Sequence, residues 1–400
     1  MLKGKKIVLG VSGGIAVYKA VELLRLLIKA EADVQVIMTR NAQEFVTPLT
    51  FQTLSGNPVH TELFSLYQER EIGHISLADR ADLFILAPAT ANLIGKIAQG
   101  LADDLLTTSV MATKAPVLIV PAMNSNMYKN PFYQRNEKIL AENGYHVLEP
   151  ATGFLACGWE GQGKLPDPEV IFEAAVSVLS PKDLVGCRVL VTAGPTREEI
   201  DPVRYISNYS SGKMGFAIAA AARQRGAQVV LISGPSSLTV PSGVRCVPVC
   251  SAQEMHDAVF EQIEDVDVVI KAAAVADYRP AEHSVQKMKK TTDTLILQLE
   301  KTPDILAELG QRKEERILIG FAAETERLLA HAAEKLQKKN LDLIVANDIT
   351  RPGAGFDVDT NVVRFLHADG KIEKFEMMRK DEVAHHLLNR VALLWKTKRL

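Results

Sequence analysis

Apolar positions along the first half of the chain follow two alternating spacings. Unbroken runs at residues 7–11, 34–38, 83–87 and 117–120 have the length and composition of strands buried on both faces. Between the first two, residues 15–30 place Leu23, Leu24, Leu27 and Ile28 on one side of a 3.6-residue period, which predicts an amphipathic helix. Asn130 and Pro131 read as an N-cap and a first-turn proline, and Gly144 as that helix's stop. The βαβα order predicts a parallel sheet with helices on both faces.

The texture changes at residues 150–166, where PATGFLACGWEGQGKLP carries four glycines and no period; its composition predicts a mobile loop. A helix follows, with Asp167 as cap and Pro168 in its first turn, and Ser180-Pro181-Lys182-Asp183 reads as a linker. A second unit begins near Gly186. Strands are expected at 188–192, 229–232, 266–270, 317–320 and 341–345, with a helix at 213–225 closed by Gly226. Ser251 and Glu254 form a capping-box signature. Asp369-Gly370, between apolar runs 362–366 and 372–375, signals a hairpin. The expected architecture is α/β: two Rossmann-like or flavodoxin-like doubly wound parallel-sheet domains, 1–180 and 186–400, joined by a short linker.

Length agrees with that division, since 400 residues at about 150 per domain give two to three domains. With 46 basic and 48 acidic residues, no global field attracts nucleic acid or acidic lipid, though a local basic site remains open. No apolar run is long enough to span a bilayer, and the N-terminus reads as a strand rather than a signal peptide. The four cysteines, Cys157, Cys187, Cys246 and Cys250, form no CxxC pair and fit reduced thiols. A cytoplasmic protein acting on small molecules is expected.

Candidate chemistry gathers at the expected strand ends, where open α/β sheets bind ligands. Ser12-Gly13-Gly14 could expose backbone N–H groups to a phosphate at a helix N-terminus, or could serve close helix–strand packing. Thr90 and Asn92 could meet a ligand or cap a helix. Asn124 could orient a carboxylate or simply hold a turn. His74 has proton-transfer chemistry but stands alone. Cys157, in the glycine-rich segment, could swing over a site as a proton donor. In the second unit, Asn208 and Ser-Ser-Gly-Lys at 210–213 offer donors to an anion, with helix capping by Ser211 the alternative. Asp277 could bind a ribose hydroxyl or Mg²⁺. Lys287, Lys289 and Lys290 form a cation cluster, and Lys335 and Lys339 share a helix face; together they suit a triphosphate.

The segments GVSGGIAVYK, APATANLIGK, PAMNSNMY and ACGWEGQGKL, with His74, resemble the flavin-dependent cysteine decarboxylase family. The segments TAGPTREEIDPVRYISNYSSGKMG, KAAAVADYRP, KMKK, KTPDIL, GFAAET and LDLIVANDIT resemble phosphopantothenate–cysteine ligases. In this order, the chain resembles the bacterial bifunctional family of coenzyme A biosynthesis. That resemblance implies CTP-driven ligation of 4'-phosphopantothenate to L-cysteine through an acyl-cytidylate. FMN-dependent decarboxylation to 4'-phosphopantetheine, by way of a thioaldehyde, would follow. It implies roles for His74, for Asn124 on the carboxylate, and for Cys157 as the enethiolate's proton donor. Ser12, Gly13 and Gly14 would hold the FMN phosphate, with Thr39, Thr90 and Asn92 near the flavin. Asn208 would stabilise the acyl-cytidylate and Lys287 the α-phosphate. Ala273, Asp277, Phe321, Lys335 and Lys339 would contact CTP, with backbone N–H groups from Pro303, Asp304, Ile305 and Leu306. Mg²⁺ would bridge the phosphates, with Asp277 its candidate protein ligand. Trimeric decarboxylase and dimeric ligase contacts would build a dodecamer. Tyr128 and Leu93 depart from the single-function relatives, and no residue reading selects cytosine over adenine. A different flavoenzyme, or a non-catalytic relative, are the competing readings.

Overall fold

A computed structural model describes residues 2–63, 73–154, 158, 160–289, 295–324, 328–348, 353, 355 and 357–399, without the side chains of 73, 74, 323, 324, 328 and 348. The chain forms two compact units, Met1–Ser180 and Pro181–Leu400.

The first unit runs β1 (Lys6–Val11), α1 (Val17–Lys29), β2 (Asp33–Met38), α2 (Pro48–Ser55), β3 (Val59–His60), α3 (Gly73–Arg80), β4 (Leu83–Ala89), α4 (Ala91–Ala98), α5 (Leu105–Ala112), β5 (Val117–Pro121), α6 (Ser125–Tyr128), α7 (Pro131–Glu142), β6 (His146–Val147), β7 (Ala151–Phe154), β8 (Glu160–Lys164) and α8 (Pro168–Leu179). Among the described residues, six parallel strands lie in the order β3-β2-β1-β4-β5-β6. The order reverses between β1 and β4, so their carboxyl ends open a crevice. Side chains alternate across the sheet. Leu9 and Val11 bury against Leu23, Leu24 and Leu27 of α1, and Val8, Phe84 and Leu86 against Leu105, Leu106 and Val110 of α5. Each of those α1 leucines contributes roughly 2 kcal/mol on burial.

Two expectations are corrected here. The glycine-rich segment is not a loop throughout: β7 and β8 pair as an antiparallel hairpin. Its glycines serve close approach. A Cβ on Gly163 would strike the Met123 carbonyl oxygen, and one on Gly161 would lie 3.0 Å from Ser125 Cβ. Asp167 precedes α8 but makes no cap bond. Its carboxylate instead takes the buried Lys19 ammonium at 2.8 Å, which holds its pKa below the usual carboxylate range.

The second unit runs β9 (Arg188–Ala193), β10 (Arg197–Asp201), β11 (Arg204–Ser207), α9 (Lys213–Gln224), β12 (Gln228–Ser233), β13 (Arg245–Pro248), α10 (Ala252–Gln262), β14 (Val268–Lys271), β15 (Tyr278–Pro280), β16 (Leu299–Lys301), α11 (Ile305–Gln311), β17 (Ile317–Glu324), α12 (Leu328–Lys338), β18 (Leu343–Asp348), β19 (Thr360–Asn361), β20 (Val363–His367), β21 (Ile372–Lys374), β22 (Met378–Arg379) and α13 (Lys380–Arg399). Its main sheet has the order β13-β12-β9-β14-β17-β18-β20-β21. The first six strands are parallel; β20 runs antiparallel to β18, and β21 turns back on β20 as the expected terminal hairpin. Gly226 stops α9 at φ +92°. The fully buried Arg225 turns back there, forming a two-pronged pair with Asp183 and donating to Asn389 of α13.

Capping differs from expectation at two helices. Ser251 does cap α10, accepting from Glu254 N–H at 3.1 Å, but the Glu254 carboxylate takes the Cys250 N–H rather than that of Ser251. Helix α9 starts on Gly212 in the left-handed conformation, so the N-cap position falls on that glycine rather than on Ser211.

Candidate functional sites at two sets of strand ends

In the first unit, Ser12 leaves β1 and ties it to the end of β4. Its hydroxyl donates to the Pro88 carbonyl at 2.8 Å and accepts from Thr90 N–H at 2.9 Å. Thr90 in turn caps α4 by accepting from Leu93 N–H, while Asn92 points outward and is exposed. Gly13 is required by contact, since a Cβ there would fall 2.5 Å from Asn41 Cβ. Gly14 has open space, its nearest neighbour being Thr90 Cγ2 at 3.8 Å. Thr39 stands at the end of β2 beside this turn, its N–H donating to the Val11 carbonyl. Its hydroxyl is buried without a hydrogen-bond partner among the described residues. Such a group is costly unless a ligand completes it.

A cavity of about 310 Å³ lies alongside, lined by Ile15, Lys19, Met123, Asn124, Phe154 and Lys164 among others. It joins the turn after β1, the turn after β5 and the hairpin of β7 and β8. Asn124 N-caps α6, its Oδ1 accepting from Asn126 N–H at 2.8 Å, and the Met123 N–H donates to the Gly163 carbonyl at 2.9 Å. The hairpin is thereby fixed to the Asn124 turn. Cys157 and the side chain of His74 lie outside the described residues. Leu93 and Tyr128 are core residues of this unit, Tyr128 packing on Tyr133 at 5.4 Å between ring centres.

Two of the second unit's cavities hold residues expected from the sequence. One, about 590 Å³, is lined by Arg197, Tyr205, Asn208, Ser210, Ser211 and Ser236 among others. Asn208 follows β11 and donates from its side-chain amide to the Ala274 carbonyl at 3.1 Å. Gly234 allows the two strand-end turns to meet, because a Cβ there would run into the Pro195 carbonyl oxygen. The other cavity, about 240 Å³, is lined by Lys271, Asp277, Lys301, Pro303, Asp304 and Lys339 among others. The expected residues Asp277, Pro303, Asp304, Ile305 and Lys339 therefore converge. Asp304 caps α11 and pairs with Lys339 at 2.9 Å; burial works to raise its pKa, but those bonds outweigh it and the carboxyl sits below its ordinary value.

Not every expected contact is available there. Pro303 has no N–H to give, and Ile305 spends its own on the Pro303 carbonyl, so this stretch offers fewer donors than expected. Leu306 is buried in the core. Phe321 packs against the core cluster on the face of the sheet opposite that cavity's neighbours Ile305 and Leu306. Ala273 donates its N–H to the Thr192 hydroxyl. Lys335 lies in the last turn of α12, and Lys339 follows within hydrogen-bonding reach, its N–H on the Lys335 carbonyl. Lys287 is exposed, and neighbouring Met288 is pinned to the β10–β11 hairpin by Asp201 and Arg204. The sequence reading missed Lys271, the last residue of β14; a lysine closing the apolar run Val268-Val269-Ile270 was the available signal.

The cysteines at 187, 246 and 250 are free thiols whose pKa burial raises, that of Cys187 to about 12. No described helix is long and apolar enough to cross a membrane.

Two α/β units, each with a cavity at a strand-end turn, define a class of two-domain α/β proteins with a separate ligand site in each unit. Residues 1–180 match the Flavoprotein family, and residues 184–394 match the DNA/pantothenate metabolism flavoprotein C-terminal domain. The chain is 50% identical to the coenzyme A biosynthesis bifunctional protein CoaBC of Bacillus subtilis (strain 168), covering 99% of this chain and 98% of that one. It is 47% identical to the protein of that name from Escherichia coli (strain K12), covering 99% of each. Among solved structures, the C-terminal domain of a coenzyme A biosynthesis bifunctional protein CoaBC is 44% identical, covering 54% of this chain and 99% of that one at a TM-score of 0.47. The chain belongs to the family of bifunctional coenzyme A biosynthesis proteins, and it is an enzyme with a ligase half and a decarboxylase half.

Proposed function

We propose that the second unit couples 4'-phosphopantothenate to L-cysteine at the expense of CTP, and that the first unit decarboxylates the product to 4'-phosphopantetheine with FMN. In the ligation, a carboxylate oxygen attacks the α-phosphorus and pyrophosphate leaves. The cysteine amine then attacks the acyl carbon, loses a proton and displaces CMP. Asn208, beside the larger cavity, is placed to donate to the acyl-cytidylate. Lys287 and the lysines at 335 and 339 offset phosphate charge. Asp277 faces the nucleotide cavity. Among the described residues no three His, Cys, Asp or Glu side chains converge. Mg²⁺ would therefore be held largely by the nucleotide's own phosphates.

In the decarboxylation, the turn at Ser12, Gly13 and Gly14 would hold the FMN phosphate; the Thr39 hydroxyl, which has no partner among the described residues, and the open space over Gly14 fit that group. When bound, FMN supplies the two-electron acceptor and donor at the thiol-bearing carbon. Asn124 holds the carboxylate until CO₂ departs. Cys157 gives its proton to the enethiolate, and His74 serves the same site. The exposed apolar side chains of Ile15, Tyr18 and Phe154, which line this cavity, support contact between copies of the first unit there. Trimeric decarboxylase and dimeric ligase contacts in a homo-oligomer go with the family resemblance. A cytoplasmic location goes with this reading.

The observation that carries the reading is the pairing, on one chain, of an orphan-hydroxyl cradle with a separate lysine–aspartate cavity at a second set of strand ends. The test is a visible spectrum followed by a pyrophosphate assay. A yellow protein that releases pyrophosphate from CTP only when 4'-phosphopantothenate is present supports both halves. A protein that cannot be reconstituted with FMN discards the decarboxylase half, and one that releases no pyrophosphate discards the ligase half.

A further inference from the structure

Lys271 ends β14, the strand between β9 and β17 in the sheet, where it pairs with Thr192 and Gly320. Val269, two residues earlier, packs in the core that also holds Ile305 and Leu306, so Lys271 reaches the sheet face on which the 240 Å³ cavity opens. Within that cavity the charges are not equivalent. Lys339 is committed to Asp304 at 2.9 Å, whereas no hydrogen bond to a described residue stabilises the Lys271 ammonium. Burial, reinforced by the positive charges of Lys339 and Lys335, pushes its pKa down to about 8, against the opposing pull of Asp304 and Asp277. An amine held this way at the end of a strand, inside a cavity, is short of a counter-charge that the protein does not supply.

We propose that Lys271 is a nucleotide-binding residue of the ligase unit, its ammonium completed by an anionic phosphate oxygen of the CTP that the proposed function places in this cavity. This rests on that reading. Anion binding raises the amine's pKa and fixes its proton. Above the free-state value, binding must draw a proton from solvent, and affinity weakens as pH rises.

The test is the dissociation constant of CTP with Mg²⁺ on the full-length protein, measured from pH 7.5 to 9.5 for the wild type, Lys271→Met and Lys271→Arg. The groups that also face Lys271 are Asp277, Tyr278, Asp304, Lys301, Lys335 and Lys339; all are common to the three proteins, so differences report on position 271. The wild type is expected to lose affinity across the upper half of this range, by up to about tenfold per pH unit. Lys271→Met is expected to bind at least about tenfold more weakly at pH 7.5, with a flatter profile. Lys271→Arg keeps its charge at every pH and is expected to recover most of the affinity while losing the pH dependence. Unchanged decarboxylation of added 4'-phosphopantothenoylcysteine shows that the first unit is intact in each variant, and an unchanged thermal transition of the second unit does the same there. Wild-type binding matched by Lys271→Met overturns this inference alone. A wild type that binds no CTP overturns the ligase reading as well.

Discussion

The two units solve one geometric problem with different residues. Each has a mainly parallel sheet whose first strand runs into a glycine turn packed against a neighbouring strand end. In the first unit the cavity beside that turn is walled by Ile15, Tyr18, Met123 and Phe154, with one asparagine and two lysines among them. In the second unit the smaller cavity is walled by three lysines and two aspartates. An apolar wall with a few fixed polar groups suits a flat ring and an orienting contact. A charged wall suits phosphates. The backbone sets where a ligand can sit, and the side chains at the strand ends decide which ligand it is.

That contrast can be broken one unit at a time. The largest effect is expected from Cys157→Ser, which removes the proposed acid from the first unit. Decarboxylation should fall by about 10²–10⁴-fold while pyrophosphate release stays at its wild-type rate, and assaying both products on the same sample checks it. Next comes Asp183→Ala. It leaves the fully buried Arg225 guanidinium without its counter-charge and should cost the second unit about 3–5 kcal/mol. Calorimetry should show that unit's transition falling while the flavin-bearing unit's holds. Thr39→Val is smaller and carries opposite signs. FMN affinity should drop by about tenfold, whereas the FMN-free protein gains up to about 1 kcal/mol because a buried unsatisfied hydroxyl is gone. Fluorescence titration and melting of the stripped protein separate the two.

The smallest effect is pH-dependent. Arg204 and three backbone N–H groups hold the Asp201 carboxyl below its ordinary value of 3.8. A carboxylate depressed in the folded state contributes stability that is complete above the unfolded pKa and is lost as pH falls through the folded one. The second unit should therefore weaken below about pH 4, and Asp201→Asn should flatten that part of its stability profile.

The sheets were legible in the sequence because their strands are short apolar runs, which carry a strong signal when buried on both faces. Residues 83–87 and 229–232 fall within β4 and β12. The β7–β8 hairpin was hidden because its glycines read as freedom, whereas Gly161 and Gly163 are there to let the Ser125 turn come close. The Asp167–Lys19 pair was hidden because its partners lie 148 positions apart, and no local period reports such a contact. The places of Ser12 and Asn124 at strand-end turns, and of Asp277 and Asp304 beside one cavity, were legible from their positions after strands. Lys271 was not, since a lysine at the end of an apolar strand reads as its solvated terminus until the cavity beside it is seen.

Asn124→Ala tests most directly whether the chain carries two separable chemistries. The variant is supplied with CTP, cysteine and 4'-phosphopantothenate, and pyrophosphate, CO₂ and the ligated acid are followed together. The account predicts pyrophosphate at the wild-type rate, little CO₂, and 4'-phosphopantothenoylcysteine accumulating in step with pyrophosphate. CO₂ at the wild-type rate, or loss of pyrophosphate from a folded second unit, would contradict it.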